Sequence, residues 1–177
     1  MGVPSYFGWI MRHSKKFGLS NMVHRRLERK TKQFYLDFNC LIHRACRECP
    51  ISSGEKEMIN HVVNVLKDVI NHIQPSNLVY IATDGSVPMG KCKQQRFRRF
   101  KSVKESHETD MIRRKYGVAQ QHTSFDFNQI SPGTRFMDLL AEEINSVSEQ
   151  WKLTHPGVQI IHSDSHQPGE GEHKIMR

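Results

Sequence analysis

Four carboxylates stand where an α/β protein would gather them. Asp37 closes an apolar, β-rich run at residues 34–38, and Asp84 follows a second run at 78–82. Glu170 and Glu172 come a short turn after a third, at 158–161. In a parallel sheet, ligand sites lie outside the carboxyl ends of the strands, so all four acids would meet on one edge. Left unpaired there, they would repel and raise each other's pKa values. A hard divalent cation, Mg²⁺ or Mn²⁺, relieves that repulsion because it prefers oxygen ligands. Taken singly, each acid has a plainer explanation, since Asp84-Gly85 is a common turn pair and a Glu at a helix start complements the dipole. Four acids at strand ends favour the metal.

A second constellation is basic. Residues 91–104 hold seven Lys or Arg and no acid. On a helix, Lys91, Gln95, Arg98 and Arg99 follow i, i+4, i+7, i+8 spacing and share a face. Such a face can grip a phosphate from several directions, with Arg giving forked, paired hydrogen bonds. A generic polybasic surface fits the same pattern equally well.

The third, Cys40-x-x-His43-x-x-Cys46-x-x-Cys49, supplies zinc-type ligands. Steps of three along one segment do not easily converge on one tetrahedron if that segment is helical. Reduced, partly buried thiols in a reducing compartment are the favoured reading.

The elements that must position these groups alternate. Residues 4–12 read as a short helix with Pro4 near its start. The strand at 34–38 is followed by a capping box, Ser52-x-x-Glu55, and a helix carrying Ile59, Val62, Val63, Leu66, Val69, Ile70 and Ile73 on one face. Pro75 ends that helix, and the strand at 78–82 completes a βαβ unit, for which a right-handed parallel crossover is expected. Residues 91–116 form an arm or helix with little apolar face, and 117–130 a loop. Ser131-Pro132 opens another helix, with Phe136, Leu139, Leu140, Ile144 and Val147 on one face. A strand at 158–161 and the start of a helix at 170–177 follow. The fold class is α/β, a parallel sheet with flanking helices.

Length and composition agree. A chain of 177 residues suggests one domain. Apolar residues are 37% and charged residues 25%, which excludes a disordered chain, a collagen-like repeat and a small disulfide scaffold. No apolar stretch approaches the roughly 18 residues a membrane helix needs. The N-terminus lacks the pattern of a secretory signal, and Tyr6 stands where a myristoylation motif needs Ser or Thr. An intracellular protein of cytoplasm or nucleus, with no membrane partner, is expected. Net charge is +8, but unevenly placed: residues 1–36 and 85–116 each carry +7, and the remainder is acidic. Two basic segments beside an acidic remainder suggest a polyanion such as nucleic acid.

Together, MGVPSYFGWI at the N-terminus, LDFNCLIH at 36–43, DGSVPMGKCKQQRFRRF at 84–100, SPGTRFM at 131–137 and HQPGEGEHKIM at 166–176 resemble the eukaryotic 5′→3′ exoribonuclease (Xrn) family, in that family's order. The resemblance implies a parallel-sheet nuclease core of the PIN or flap-nuclease kind, with residues 1–177 as the N-terminal part of a single exonuclease domain. It implies that Asp37, Asp84, Glu170 and Glu172 are metal-binding acids of a two-metal centre, and that Asn39 is the active-site Asn beside the first Asp. It further implies that Lys91, Gln95, Arg98 and Arg99 bind a 5′-monophosphate and that His43 stacks on the terminal base. The expected activity is Mg²⁺- or Mn²⁺-dependent hydrolysis of 5′-monophosphorylated single-stranded RNA.

Two features depart from the family. Cys40 stands where the family has Gly. The chain also ends before the further strand whose paired Asp residues complete the second metal site, so a further segment or second chain is expected to supply them. Two other readings follow: a catalytically incomplete module that binds 5′-phosphorylated RNA ends, or a structure-selective 5′ DNA nuclease of the related flap-nuclease superfamily. The QQRxRRF string favours the exoribonuclease side.

Overall fold

The computed structural model describes residues 5–13, 31–50, 53–118 and 125–177. Strands β1 (Gln33–Asp37), β2 (Leu78–Ala82) and β3 (Gln159–Ser163) form one parallel sheet with β2 in the middle. Register pairs Phe34 with Val79 and Val79 with Ile160, so these three share a face. Tyr35, Tyr80 and Ile161 share the opposite one. Leu78–Ala82 is nearly continuous in apolar residues, as a central parallel strand requires.

Two crossovers join the strands. The first runs through α2 (Asn39–Glu48) and α3 (Glu55–Ile73), the second through α4 (Met89–Lys115), a 3-10 turn at Phe127–Gln129 and α5 (Arg135–Thr154). A short α6 (Gly171–Ile175) follows β3, and α1 (Tyr6–His13) precedes the sheet. The core forms on the Val79 face. Ile42 from α2, Val62 and Leu66 from α3, and Phe136, Leu140 and Ile144 from α5 are essentially inaccessible there. Each such side chain contributes about 1.5–3 kcal/mol of burial. The other face is more open, with Tyr35 44% exposed, and α6 lies against its carboxyl end.

The α/β class and parallel pairing agree with the expectation, but several boundaries differ. Phe38 is not a strand residue: it leaves β1, is fully buried and starts α2. The helix α2 was hidden under the cysteine spacing. The box expected at Ser52 and Glu55 lies elsewhere. Helix α3 begins at Glu55 with Gly54 as its N-cap, and the Glu57 carboxylate accepts from the Gly54 N–H at 3.2 Å. Ser52 itself lies outside the described residues. At its far end, Gln74 adopts a left-handed conformation (φ 52°) just before Pro75. Helix α5 starts three residues later than expected. Ser131-Pro132-Gly133 is a turn with Gly133 at φ 81°, and Thr134 caps the helix by accepting from the Met137 N–H. The basic segment is one 27-residue helix with no buried residue. No helix among the described residues is long and apolar enough to cross a membrane.

Candidate active site

Past the last strand residues, the backbone continues to pair. The Phe38 N–H donates to the Ala82 carbonyl at 2.9 Å and the Thr83 N–H to the Ser163 carbonyl at 2.8 Å. The Gly85 N–H then donates to the Gly169 carbonyl at 2.8 Å, and the Gly169 N–H to the Ser86 carbonyl at 2.9 Å. This clasp brings the turn carrying Glu170 against the loop carrying Asp84. It is close enough that a Cβ on Gly85 would meet the Gln167 carbonyl oxygen at 1.7 Å.

The acids are thereby fixed. Asp84 Oδ1 accepts from the Gly171 N–H at 2.7 Å, and the Asp84 N–H donates to Asn39 Oδ1 at 3.1 Å. Asn39 thus ties α2 to the end of β2. Gly171 lies so near Asp37 that a Cβ there would sit 2.6 Å from Oδ1. Asp37 is pushed above the usual carboxylate range, first by burial and then by Asp84, Glu172 and Glu170; the Asn39 backbone N–H opposes this. The charges of all four predicted acids therefore meet at Asp37. Glu170 is closed by Lys91, with Nζ 3.3 Å from Oε2.

The signal missed in the sequence is Lys174. Its side chain is buried, and Nζ donates to the Thr83 carbonyl at 2.7 Å and the Asp164 carbonyl at 2.6 Å. It pins α6 to the ends of β2 and β3 at once. Burial lowers its pKa, opposed by the fields of Asp164 and Asp84. A basic residue one turn after Glu170 was visible, but nothing local shows that it points inward.

The donor set suits a hard divalent cation: all four side chains offer oxygen, and Asp37 Oδ1 is buried without a hydrogen-bond partner. Among the described residues, no three His, Cys, Asp or Glu side chains already converge at metal-holding distance. Two of the acids are engaged, Asp84 by the Gly171 N–H and Glu170 by Lys91. The cysteines are spread around α2 and its end: Cys40 is exposed, Cys46 is buried, Cys49 is half-buried, and all are free thiols. Burial pushes Cys46 up to about 12.

The repulsion at Asp37 has a measurable cost. A carboxyl whose pKa is raised by folding takes stability away once the pH exceeds its unfolded value, and most fully above its raised folded value. Asp37→Asn should therefore raise Tm at pH 7. The gain should vanish below the ordinary value of 3.8, where both states hold the proton. Thermal unfolding of both proteins at pH 7 and pH 3 checks this. An unchanged Tm at pH 7 would contradict the crowding of acids around Asp37.

The predicted phosphate residues separate. Lys91, in the first turn of α4, faces Glu170. Gln95 and Arg99 line a cleft of about 400 Å³ with Arg96, Phe100 and Asn128, whereas Arg98 is exposed and outside that lining. His43 lies one turn along α2 from Asn39. Its pKa is lowered by burial and by Arg47 against the pull of Asp84, which favours the neutral ring. Its Nδ1 is buried without a partner.

A family model described as "XRN 5'-3' exonuclease N-terminus" matches residues 1–177. Among curated relatives, the chain is 31% identical to 5'-3' exoribonuclease 1 of Schizosaccharomyces pombe over 99% of its own length and 14% of the relative's. It is 32% identical to 5'-3' exoribonuclease 2 of Aspergillus oryzae, covering 99% of this chain and 20% of that one. It is also 32% identical to 5'-3' exoribonuclease 2 of Gallus gallus, covering 99% and 22%. The chain thus spans about a fifth or less of the length of these relatives.

Proposed function

The chain belongs to the XRN 5′-3′ exonuclease N-terminal family, and from that premise we propose that it builds the acid edge and the 5′-end pocket of a metal-dependent 5′→3′ exoribonuclease. The substrate is single-stranded RNA with a 5′-monophosphate. The observation that supports this best is electrostatic: Asp84, Glu172 and Glu170 all raise Asp37, and Lys91 at the foot of the basic helix reaches Glu170.

Asp37, Asp84, Glu170 and Glu172 would hold the divalent cation, Mg²⁺ or Mn²⁺. Bound there, a cation pair supplies activation of a water and stabilisation of the leaving oxygen of a phosphodiester. The chain's own residues do the rest. Gln95 and Arg99, which share a cleft, bind the terminal phosphate through charge-assisted hydrogen bonds, and Arg98 and Lys91 must turn toward it to add their charges. His43, neutral and half-buried, offers a face on which any terminal base can stack, so recognition tolerates every sequence. Asn39 and Lys174 hold the acids in place. Hydrolysis at the first phosphodiester breaks the bond to the 3′-oxygen of the terminal nucleotide. The remaining RNA then carries a new 5′-monophosphate, which the same pocket can take again.

The double substitution Arg98→Ala plus Arg99→Ala tests the pocket. Loss of two charge-assisted phosphate contacts should weaken binding of 5′-monophosphate RNA by about 10²-fold and remove the preference over 5′-hydroxyl RNA. Fluorescence anisotropy at one fixed salt concentration measures this. Equal binding of the two RNAs by the unsubstituted chain would overturn the reading.

One observation favours a second reading, a module that captures 5′-phosphorylated ends without cutting: no three acids converge at metal-holding distance among the described residues. That module would bind 5′-monophosphate RNA equally well after Asp84→Ala and would never shorten it.

A further inference from the structure

Lys91 belongs by position to the basic helix, yet its ammonium is spent on the acid edge. Nζ stands 3.3 Å from Glu170 Oε2, and the two side chains are only 27% and 16% exposed. The neighbouring ion pairs of α4, Lys101–Glu105 and Lys104–Glu108, differ: they run along the helix at 3.7 Å and are well exposed. Those pairs contribute little beyond helix solubility. The Lys91–Glu170 pair instead bridges two elements far apart in sequence, and it is shielded enough for its charges to matter.

The consequence is mutual blocking. A carboxylate closed by an ammonium is a poorer cation ligand, and an ammonium closed by a carboxylate is a poorer phosphate donor. A phosphate dianion can draw Lys91 away from Glu170, and a divalent cation can take Glu170 away from Lys91. Each event removes the obstacle to the other.

We propose that Lys91 and Glu170 form a specificity-determining pair through which a 5′-phosphate and a divalent cation load this site cooperatively. A 5′-hydroxyl end lacks the anion that opens the pair, so Glu170 stays closed. Preference for the phosphorylated end would then arise at metal loading as well as at binding. By linkage, the factor by which phosphate tightens the cation equals the factor by which the cation tightens phosphate. This cooperativity rests on the acid edge and basic helix being the metal and phosphate sites of the reading above.

The test is calorimetric titration of Mn²⁺ into the 177-residue chain alone, with saturating uridine 5′-monophosphate, and with uridine. The nucleotide should tighten Mn²⁺ by about five-fold or more, within the usual range of coupling, and uridine should not. In Lys91→Met, Glu170 is already open. That variant should bind Mn²⁺ more tightly than the original chain without nucleotide and gain nothing further from it. Lys93→Met, which removes an exposed charge from the same helix, should behave as the original. Glu170→Gln gives an independent check: it opens Lys91 and should tighten the nucleotide in the absence of metal.

Mn²⁺ and nucleotide that bind independently would overturn the cooperativity and leave the metal and phosphate sites standing. So would a Lys91→Met protein that keeps the full nucleotide effect, because the coupling would then come from direct phosphate–cation contact. A chain that binds neither Mn²⁺ nor nucleotide would overturn the site assignment itself, and the cooperativity with it.

Discussion

Replacing Asp84 with alanine should reduce Mg²⁺-dependent shortening of 5′-monophosphate RNA by at least about a thousand-fold, the several kcal/mol that a hydrolytic cation supplies. Two effects are combined in that loss. Asp84 is one of the four oxygen donors on the edge, and its Oδ1 also holds the Gly171 N–H at 2.7 Å, so alanine releases α6 as well. Asp84→Asn separates them. Its amide oxygen can still accept from Gly171, but the negative charge is gone. If charge is what the site requires, Asp84→Asn should lose nearly as much activity as Asp84→Ala while its Tm stays at or above the original, since losing that charge also relieves Asp37. Recovery of most activity in Asp84→Asn would show that the residue works by holding α6, and that the cation is bound without it. Rates at saturating Mg²⁺ with Tm values for both variants decide the matter.

The largest effect on stability is expected at Gly85. A methyl group there would lie 1.7 Å from the Gln167 carbonyl oxygen and 3.1 Å from that of Ser165. Both are backbone atoms, so no side-chain rotation can make room. Accommodating the methyl would break the clasp formed by Gly85 and Gly169, and with it the approach of the Glu170 turn to Asp84. Gly85→Ala should cost about 3 kcal/mol, at the upper end of overpacking changes. In a domain of this length that lowers Tm by roughly 6–12 °C. Gly90→Ala is the matched control. Nothing lies within 4 Å of a Cβ at Gly90, which is an exposed residue of α4. Alanine is the better helix former by about 1 kcal/mol, so Tm should hold or rise slightly. Equal Tm values for the two variants would contradict the close approach at Gly85.

Much of this site was readable from the sequence because strand ends and acids coincide. The runs around residues 34–38, 78–82 and 158–161 are short, apolar and rich in aromatic or β-branched residues, and Asp37, Asp84 and Glu170 fall at or soon after their carboxyl ends. Parallel pairing then requires the acids to share an edge. What stayed hidden depends on tertiary approach. Gly171 looks like a spacer between two glutamates, yet its missing side chain is what lets Asp37 lie against α6. Lys174 resembles any helical lysine until its ammonium is seen between two carbonyls.

Boundaries failed where two local signals compete. Ser52-x-x-Glu55 and Gly54-x-x-Glu57 both precede the same helix, and the side chain of Glu57 settles on the second. Phe38 fits a strand by composition, but the need to bury its ring turns it into the core and begins α2. The basic segment could not be assigned as arm or helix because it has no apolar stripe. It is helical through good helix formers and the i,i+4 pairs Lys101–Glu105 and Lys104–Glu108, with no packing to enforce a period. The face shared by Lys91, Gln95, Arg98 and Arg99 is real as helical spacing, yet the structure divides it. Lys91 turns to the acids, and Gln95 and Arg99 turn to the cleft near Asn128.

The most direct test of the account is a time course of the chain with Mg²⁺ on 5′-monophosphate single-stranded RNA, run beside the same RNA with a 5′-hydroxyl. Progressive shortening from the 5′ end is expected, for the monophosphate alone, with nucleoside 5′-monophosphates as the released product. Shortening that ignores the 5′ group, or that proceeds undiminished in EDTA, would contradict it.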